Sequence, residues 1–477
     1  MRKYIPFLIV WLVLILTPLV AAQPGVFAVM PISRDPYTNP DAQHQTQASL
    51  DNAAYGNTVV AAFESGLYPA GVGSSNIGWA TSTDGGNTYS IGFLPGTTPY
   101  STPPGPWERI WHPAVAYDAR HDVWLIVSDA MPPSTLIVSR STSGGITWDH
   151  PIVIFLGGGS TDGTYGEIGC DNTPSSPYYG QCYSVRAAAF WDSLSIRTST
   201  DGGQTWGPLV AAPIGAVSPK IVVQPNGTVI IVSLQANLDG PWFFKSVVSQ
   251  DGGQSWSDPQ RMFLPQVVSP AVLDLSGSHG NLVIPSVAVD AGGKVYVASV
   301  DCRFHRYCSL QANDIVLTTS TNGLDWSRLK RIPIGRAGSS TTYFLPGLAV
   351  TGSGNTARLA LTYYYYPDAI CDLSNCQLDV GFVSSVNGGL TWSTPQTLAG
   401  PMDLNWLPHD EYDRKIVTHY ISTTFVGDTA ISTFAAAEPP IGDTFQLAAW
   451  GAINPVLATG NYPLPLQAEL ARGDSPR

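Results

Sequence analysis

Glutamate is scarce in this 477-residue chain, so its placement is informative. Only six occur: Glu64, Glu108, Glu167, Glu411, Glu438 and Glu469. Four aspartates, Asp129, Asp192, Asp301 and Asp314, end or begin strand-like runs. Carboxylates collected on one rim can shuttle protons, hold a cation, or solvate loop ends. Aromatic residues offer a second chemistry. Tyr363 to Tyr366 stand four in a row beside Asp368, and Trp191 and Trp242 supply further flat faces. Such faces stack on sugar rings, or pack half-buried in a core. Arg303 and Arg306 share the stretch "DCRFHRYCSLQAND", residues 301–314. The eight histidines are scattered and no HExxH occurs, so no metal site is expected.

The frame that must position these groups reads as all-β. Charged residues are 12 %, while glycine and proline number 47 and 39, a composition of many turns and few charged helix faces. Net charge is −12, which disfavours nucleic acid and anionic membranes as partners. Residues 1–22 hold Arg2 and Lys3, then an apolar run from Ile5 to Leu16, then Val20, Ala21 and Ala22. That pattern predicts a secretory signal peptide cleaved after Ala22, with an uncleaved N-terminal anchor as the alternative. Losing two cations would leave −12 − 2 = −14. The six cysteines fall into three close pairs, and an even count in an exported chain favours disulfides. The local pairing is expected: Cys170 with Cys182, Cys302 with Cys308, Cys371 with Cys376.

One eight-letter phrase keeps returning. "STDGGNTY" occupies 82–89, "STSGGITW" 141–148, "STDGGQTW" 199–206, "SQDGGQSW" 249–256 and "SVNGGLTW" 385–392; a shortened "STNGLDW" occupies 320–326. Their third positions are Asp84, Ser143, Asp201, Asp251, Asn322 and Asn387, spaced by 59, 58, 50, 71 and 65 residues. Such a period holds about four short strands with their turns. The glycine pair permits backbone angles other residues resist, and the Asp, Asn, Ser and Thr side chains can bond turn amides. The closing Trp is expected to plug the turn against its own sheet. One Asp per turn supplies too few oxygens for calcium, so no cofactor is expected, with calcium as the alternative.

These phrases resemble the Asp boxes (bacterial neuraminidase repeats) of the sialidase superfamily. The resemblance covers nearly the whole chain after residue 22. It implies a single β-propeller of four-stranded blades over 23–464, with Asp-box turns between third and fourth strands and a polar tail at 465–477. First-strand candidates end near Asp51, Asp118, Asp171, Gln224, Asp290, Thr351 and Tyr420, which gives seven blades, with six as the alternative. The last of these units has strands but no box.

By the same resemblance, the working face lies away from the Asp boxes. Glu64, Glu108, Glu167 and Glu411 fall near the blade tops on that face. A sialidase clamps the sugar carboxylate with three Arg, attacks with a Tyr activated by a Glu, and uses an Asp as acid and base. The family's first Arg stands in an Arg-Ile-Pro on the first strand. Here that strand reads "HQTQASLD", and Arg331-Ile332-Pro333 instead follows the fifth box. The resemblance therefore implies Tyr420 as nucleophile with Glu411, and Asp301 or Asp129 as acid. Arg303, Arg306, Tyr365 and Trp191 would bind substrate. The expected protein is a secreted, monomeric, glycan-directed propeller, an exo-α-sialidase-type hydrolase if catalytic. The alternatives are a non-catalytic glycan-binding propeller and an extracellular protein scaffold.

Overall fold

In the computed structural model, runs such as "TVVAAFESGL" and "VWLIVSDAM" form buried strands, and the Gly-rich phrases form the turns between them. The structure describes residues 28–69, 73–157, 166–187, 193–215, 217–237, 240–268, 283–305, 308 and 312–456. The expected signal peptide, 1–22, and the expected tail, 465–477, lie outside these residues. Among the described residues there is no α-helix, and none is long and apolar enough to cross a membrane.

The strands pair as antiparallel four-stranded meanders in chain order. The first meander runs through Gln43–Tyr55, Thr58–Leu67, Ser74–Ser82 and Ser90–Phe93. Later ones begin with Arg109–Asp118, Glu167–Cys170, Lys220–Val223, Ser286–Val289, Thr342–Thr351 and Ser422–Val426. Each first strand packs beside the next, and the last packs beside the first, so these strands surround a common axis. The fold is all-β and propeller-like. Tyr420, expected to end a first strand, instead precedes Ser422–Val426.

The seventh meander explains its own missing box. Its strands Ser422–Val426, Thr429–Ala437 and Leu447–Pro455 come from the C-terminal end. Its fourth strand is Ala28–Pro31, which pairs antiparallel with Leu447–Pro455. No covalent turn joins third to fourth strand there, so no turn phrase is needed. Strands from the two ends of the chain thereby share one sheet and close the ring.

The repeated turns share one hydrogen-bond pattern. Ser82 Oγ donates to Asp84 Oδ1 at 2.7 Å and accepts from the Gly86 amide at 2.8 Å. Asp84 also accepts from the amides of Asn87 and Thr88 and from Thr88 Oγ1. Those donors hold the Asp84 carboxyl down at about 2. Asp201 and Asp251 repeat the arrangement, Ser143 accepts from the Thr147 amide, and Asn322 and Asn387 accept through Oδ1. The side-chain oxygens are thus committed to the turn itself.

The second glycine of each full phrase, and the single glycine of the shortened one, reveals a further job. A Cβ on Gly145 would lie 2.7 Å from Val60, and one on Gly323 2.8 Å from Ile230, each in the preceding meander. Gly86, Gly203, Gly253 and Gly389 likewise face Ile431, Leu125, Tyr183 and Leu317 of their preceding meanders. Thr81 and Ser246 Oγ donate to the carbonyls of Gly145 and Gly323 at 2.6 Å. The turn was expected to be plugged against its own sheet; it also clasps the neighbouring one. A large side chain at the second glycine would keep the sheets apart.

All three local disulfides form: Cys170–Cys182, Cys302–Cys308 and Cys371–Cys376. The first ties neighbouring strands across a directly opposed pair.

Candidate functional site

Along the axis the first strands leave a cavity of about 290 Å³. Asp51, Glu167, Lys220 and Tyr420 make up one wall; Leu348, Val287 and Ile284 also line the cavity, with Ser286, Ser422 and Thr423. Among the described residues, Asp51, Glu167 and Lys220 are its only charged lining. They come from the first strands of the first, third and fourth meanders.

The three charges define each other. Lys220 Nζ pairs with Glu167 Oε2 at 2.5 Å. Asp51 Oδ2 accepts from the Val115 amide at 2.7 Å. Burial disfavours the ionised Glu167; Lys220 only partly offsets that, Asp51 adds to it, and the carboxyl is pushed up to about 7. Burial also raises the Asp51 carboxyl, against the pull of Lys220. Lys220 itself is disfavoured by burial, but Glu167 and Asp51 outweigh that and raise it, so the ammonium persists. Two carboxyls therefore share one cation, and a proton resides on the acid pair near neutrality. A carboxyl poised near 7 can both give and take a proton at physiological pH.

Aromatic groups flank this wall. Lys220 Nζ lies 5.2 Å from the Tyr420 ring centroid, and the Tyr420 hydroxyl donates to the Pro113 carbonyl at 2.8 Å. Trp242 packs partly buried against a small cluster of Val217, Ile284 and Tyr420.

A second polar group adjoins the first. Glu64, His112 and His419 bring a carboxylate oxygen and two imidazole nitrogens within 4.8 Å of one another. Glu64 Oε1 accepts from the His112 amide at 3.0 Å, and Ser49 Oγ lies 3.0 Å from His419 Nδ1. Asp129 Oδ2 lies 3.8 Å from His112 Nδ1 and accepts from the Gly166 amide at 3.0 Å. Burial raises the Glu64 carboxyl, opposed by His419 and the His112 amide. The sequence reading expected no metal site; these residues are a set of donors that could hold one.

The structure distributes the expected site residues unevenly. Asp129 joins the Glu64 group, and Tyr420 lines the cavity. Glu411 is solvent-exposed while Tyr420 is buried on Pro113, so the expected Tyr–Glu pairing is corrected. Asp301 and Arg303 bind each other through both guanidinium contacts at 2.8 Å, which commits the expected acid and the expected sugar-binding cation to one ion pair. Arg306, Trp191 and Asp192 lie outside the described residues. Tyr365 gives or takes a hydrogen bond with Thr397 at 2.8 Å. Tyr363, Tyr364 and Tyr366 are buried, so the packing reading replaces the platform. Glu108 is exposed, and Asp314 pairs with Arg331 and His305.

Lys220, His112 and His419 went unread in the sequence. For two of them a signal was present: Lys220 and His112 are polar residues at the start of apolar runs, in "SPKIVVQ" and "WHPAVAYD".

No protein-family model matches the chain, and no curated protein matches it. Several solved structures are similar to it at low identity. The GH93 α-L-arabinofuranosidase of Fusarium graminearum, in complex with arabinobiose, is 12% identical over 76% of this chain and 96% of that one, with TM-score 0.44. The NanB sialidase from Streptococcus pneumoniae is 12% identical over 89% of this chain and 71% of that one, with TM-score 0.43. The Hadza microbial sialidase Hz136 is 14% identical over 86% and 66%, with TM-score 0.42. The chemistry of the present chain rests on its own residues.

Proposed function

We propose that this chain is a secreted, seven-bladed, sialidase-like β-propeller that acts on extracellular glycans as a glycoside hydrolase, with Glu167 as proton donor. The closed succession of meanders supports the blade count, and the turns between third and fourth strands support the Asp-box reading. Three disulfides and the cationic, apolar leader support export.

The observation that carries the activity is the Asp51–Lys220–Glu167 wall of the axial cavity. A sugar has a hydroxylated rim and an apolar C–H face. The cavity matches that with the charged Asp51–Lys220–Glu167 wall, the apolar side chains of Leu348, Val287 and Ile284, and the Tyr420 ring. Its volume suits one ring, at the small end of ligand pockets, which run from roughly 300 Å³. Glu167 protonates the leaving oxygen as the glycosidic C–O bond breaks, Asp51 stabilises the developing positive charge, and water adds to the anomeric carbon and gives its proton back to Glu167. Lys220 holds Glu167 in place and is consumed by that pairing. Among the described residues no arginine lines the cavity, so the substrate class is a neutral glycoside rather than a sialoside.

The test is a panel of fluorogenic glycosides, N-acetylneuraminic acid, arabinofuranose, galactose and glucose derivatives among them, with wild type and Glu167→Gln. Turnover of a neutral member, lost in Glu167→Gln, is expected. Turnover that survives Glu167→Gln, or no turnover at all, removes Glu167 from catalysis. Trp242 beside Tyr420 favours a second reading, a non-catalytic glycan-binding propeller; a glycan array would then show binding that Glu167→Gln leaves intact.

A further inference from the structure

Three inner strands share a local irregularity. Ser49, His112 and Leu345 each adopt a left-handed backbone, with φ of 52°, 49° and 48°. Each sits where the pairing of first and second strand shifts register: between Ala48 and Asp51, Trp111 and Ala114, and Phe344 and Gly347. These are bulges, which re-aim a side chain. The third carries an apolar leucine, so the bulge belongs to the fold and the polar residues on the other two belong to something else. The His112 bulge places an imidazole beside Glu64, on the neighbouring second strand, and beside His419, which comes from the other end of the chain.

We propose that Glu64, His112 and His419 form a binding site for a divalent transition-metal ion of the zinc class, separate in residues from the Asp51–Lys220–Glu167 wall. Two imidazoles and one carboxylate are a donor set that such ions favour, and three protein ligands leave a position for water or substrate. The surroundings match what metal-bound imidazoles need. Ser49 Oγ lies 3.0 Å from His419 Nδ1, and Asp129 faces His112 Nδ1 at 3.8 Å, so each ring has a polar group behind one nitrogen. Glu64 and Asp129 are almost wholly buried, at 1 % and 3 % exposure, so two carboxyl groups and two imidazoles converge away from solvent. The donors span up to 4.8 Å, and tetrahedral ligation at about 2.0–2.1 Å requires them to close by up to roughly 1.5 Å, within reach of side-chain rotation.

The proposal goes beyond the hydrolase reading and its test does not use turnover. The full-length protein, stripped with a chelator, is titrated with Zn²⁺ against a chromophoric competitor, and with Co²⁺ while visible absorption is followed. Expected are one ion per chain, a Co²⁺ spectrum of low coordination number, and a rise in thermal midpoint. His112→Asn, chosen because Asn tolerates the left-handed backbone, and His419→Gln should abolish stoichiometric binding while melting as the stripped wild type does. Ser49→Ala should weaken affinity roughly 10–100-fold. Absence of stoichiometric Zn²⁺ binding, or binding that persists in both histidine variants, overturns the site. Failure here leaves the Glu167 test untouched, and the converse holds.

Discussion

Replacing Lys220 with methionine removes the single cation shared by Asp51 and Glu167. In the wild type, moving the Glu167 carboxyl from its ordinary 4.5 to about 7 corresponds to about 3 kcal/mol, at about 1.4 kcal/mol per pH unit. The sign follows from proton counting. Between those values the folded chain holds a proton that the unfolded chain has released, so stability falls as pH rises through the window. Below 4.5 both states are protonated and nothing is lost. Without the ammonium, both carboxyls rise further, because the opposing attraction is gone. At pH 8 the variant must either keep its buried carboxyls protonated against the pH or bury their charge uncompensated, and its deficit against wild type should be about 3–5 kcal/mol. At pH 5 Glu167 is protonated with or without Lys220, and the deficit should shrink to about 1 kcal/mol, near the value of one hydrogen bond. Urea midpoints for both proteins at pH 5, 6, 7 and 8 measure this. A deficit constant with pH, or larger at pH 5, would refute the charge-sharing argument.

Four further outcomes are expected. Gly323→Ala should destabilise by about 1–3 kcal/mol more than Gly338→Ala: both glycines have left-handed φ, 72° and 76°, but only the first would meet the preceding sheet. Equal thermal shifts would deny the clasp. Glu167→Gln should lower turnover of a neutral glycoside at least 100-fold, and wild-type kcat/KM should fall as pH rises past about 7, where the acid loses its proton. A rate that rises through that range would assign Glu167 the role of base. Tyr420→Phe loses one hydrogen bond to Pro113 and should cost about 1 kcal/mol in denaturant stability with activity kept; abolished activity would restore Tyr420 as nucleophile. Finally, Cys302→Ser with Cys308→Ser should leave the axial site active, since its loop lies on the fifth meander away from Asp51 and Glu167; lost activity in a folded variant would place that loop in the site.

The turn phrases were legible because their chemistry is local. Ser82, Asp84 and Thr88 satisfy one another within seven residues, so spacing alone predicts their bonds. The disulfides are equally short-range, with separations of 12, 6 and 5 residues. Glu64, Glu167 and Asp129 stood out as carboxylates near one rim. Their partners did not, because nothing adjacent in sequence marks Lys220 for Glu167 or His419 for Glu64. The Tyr420–Glu411 expectation failed for the same reason: nine residues of separation say nothing about which way a buried ring points.

By itself, then, the sequence determined the strands, the turns, the local staples and the repeat that sets their period, all consequences of contacts within a few tens of residues. Ring closure was left to the tertiary structure, which brings Ala28–Pro31 onto Leu447–Pro455 from opposite ends of the chain. So were the direction of the glycine clasp and the meeting of Asp51, Glu167 and Lys220 on one axis. First strands more than a hundred residues apart become neighbours only when the sheets assemble around a centre. Burial there, not residue type, turns an ordinary glutamate into an acid poised near neutrality.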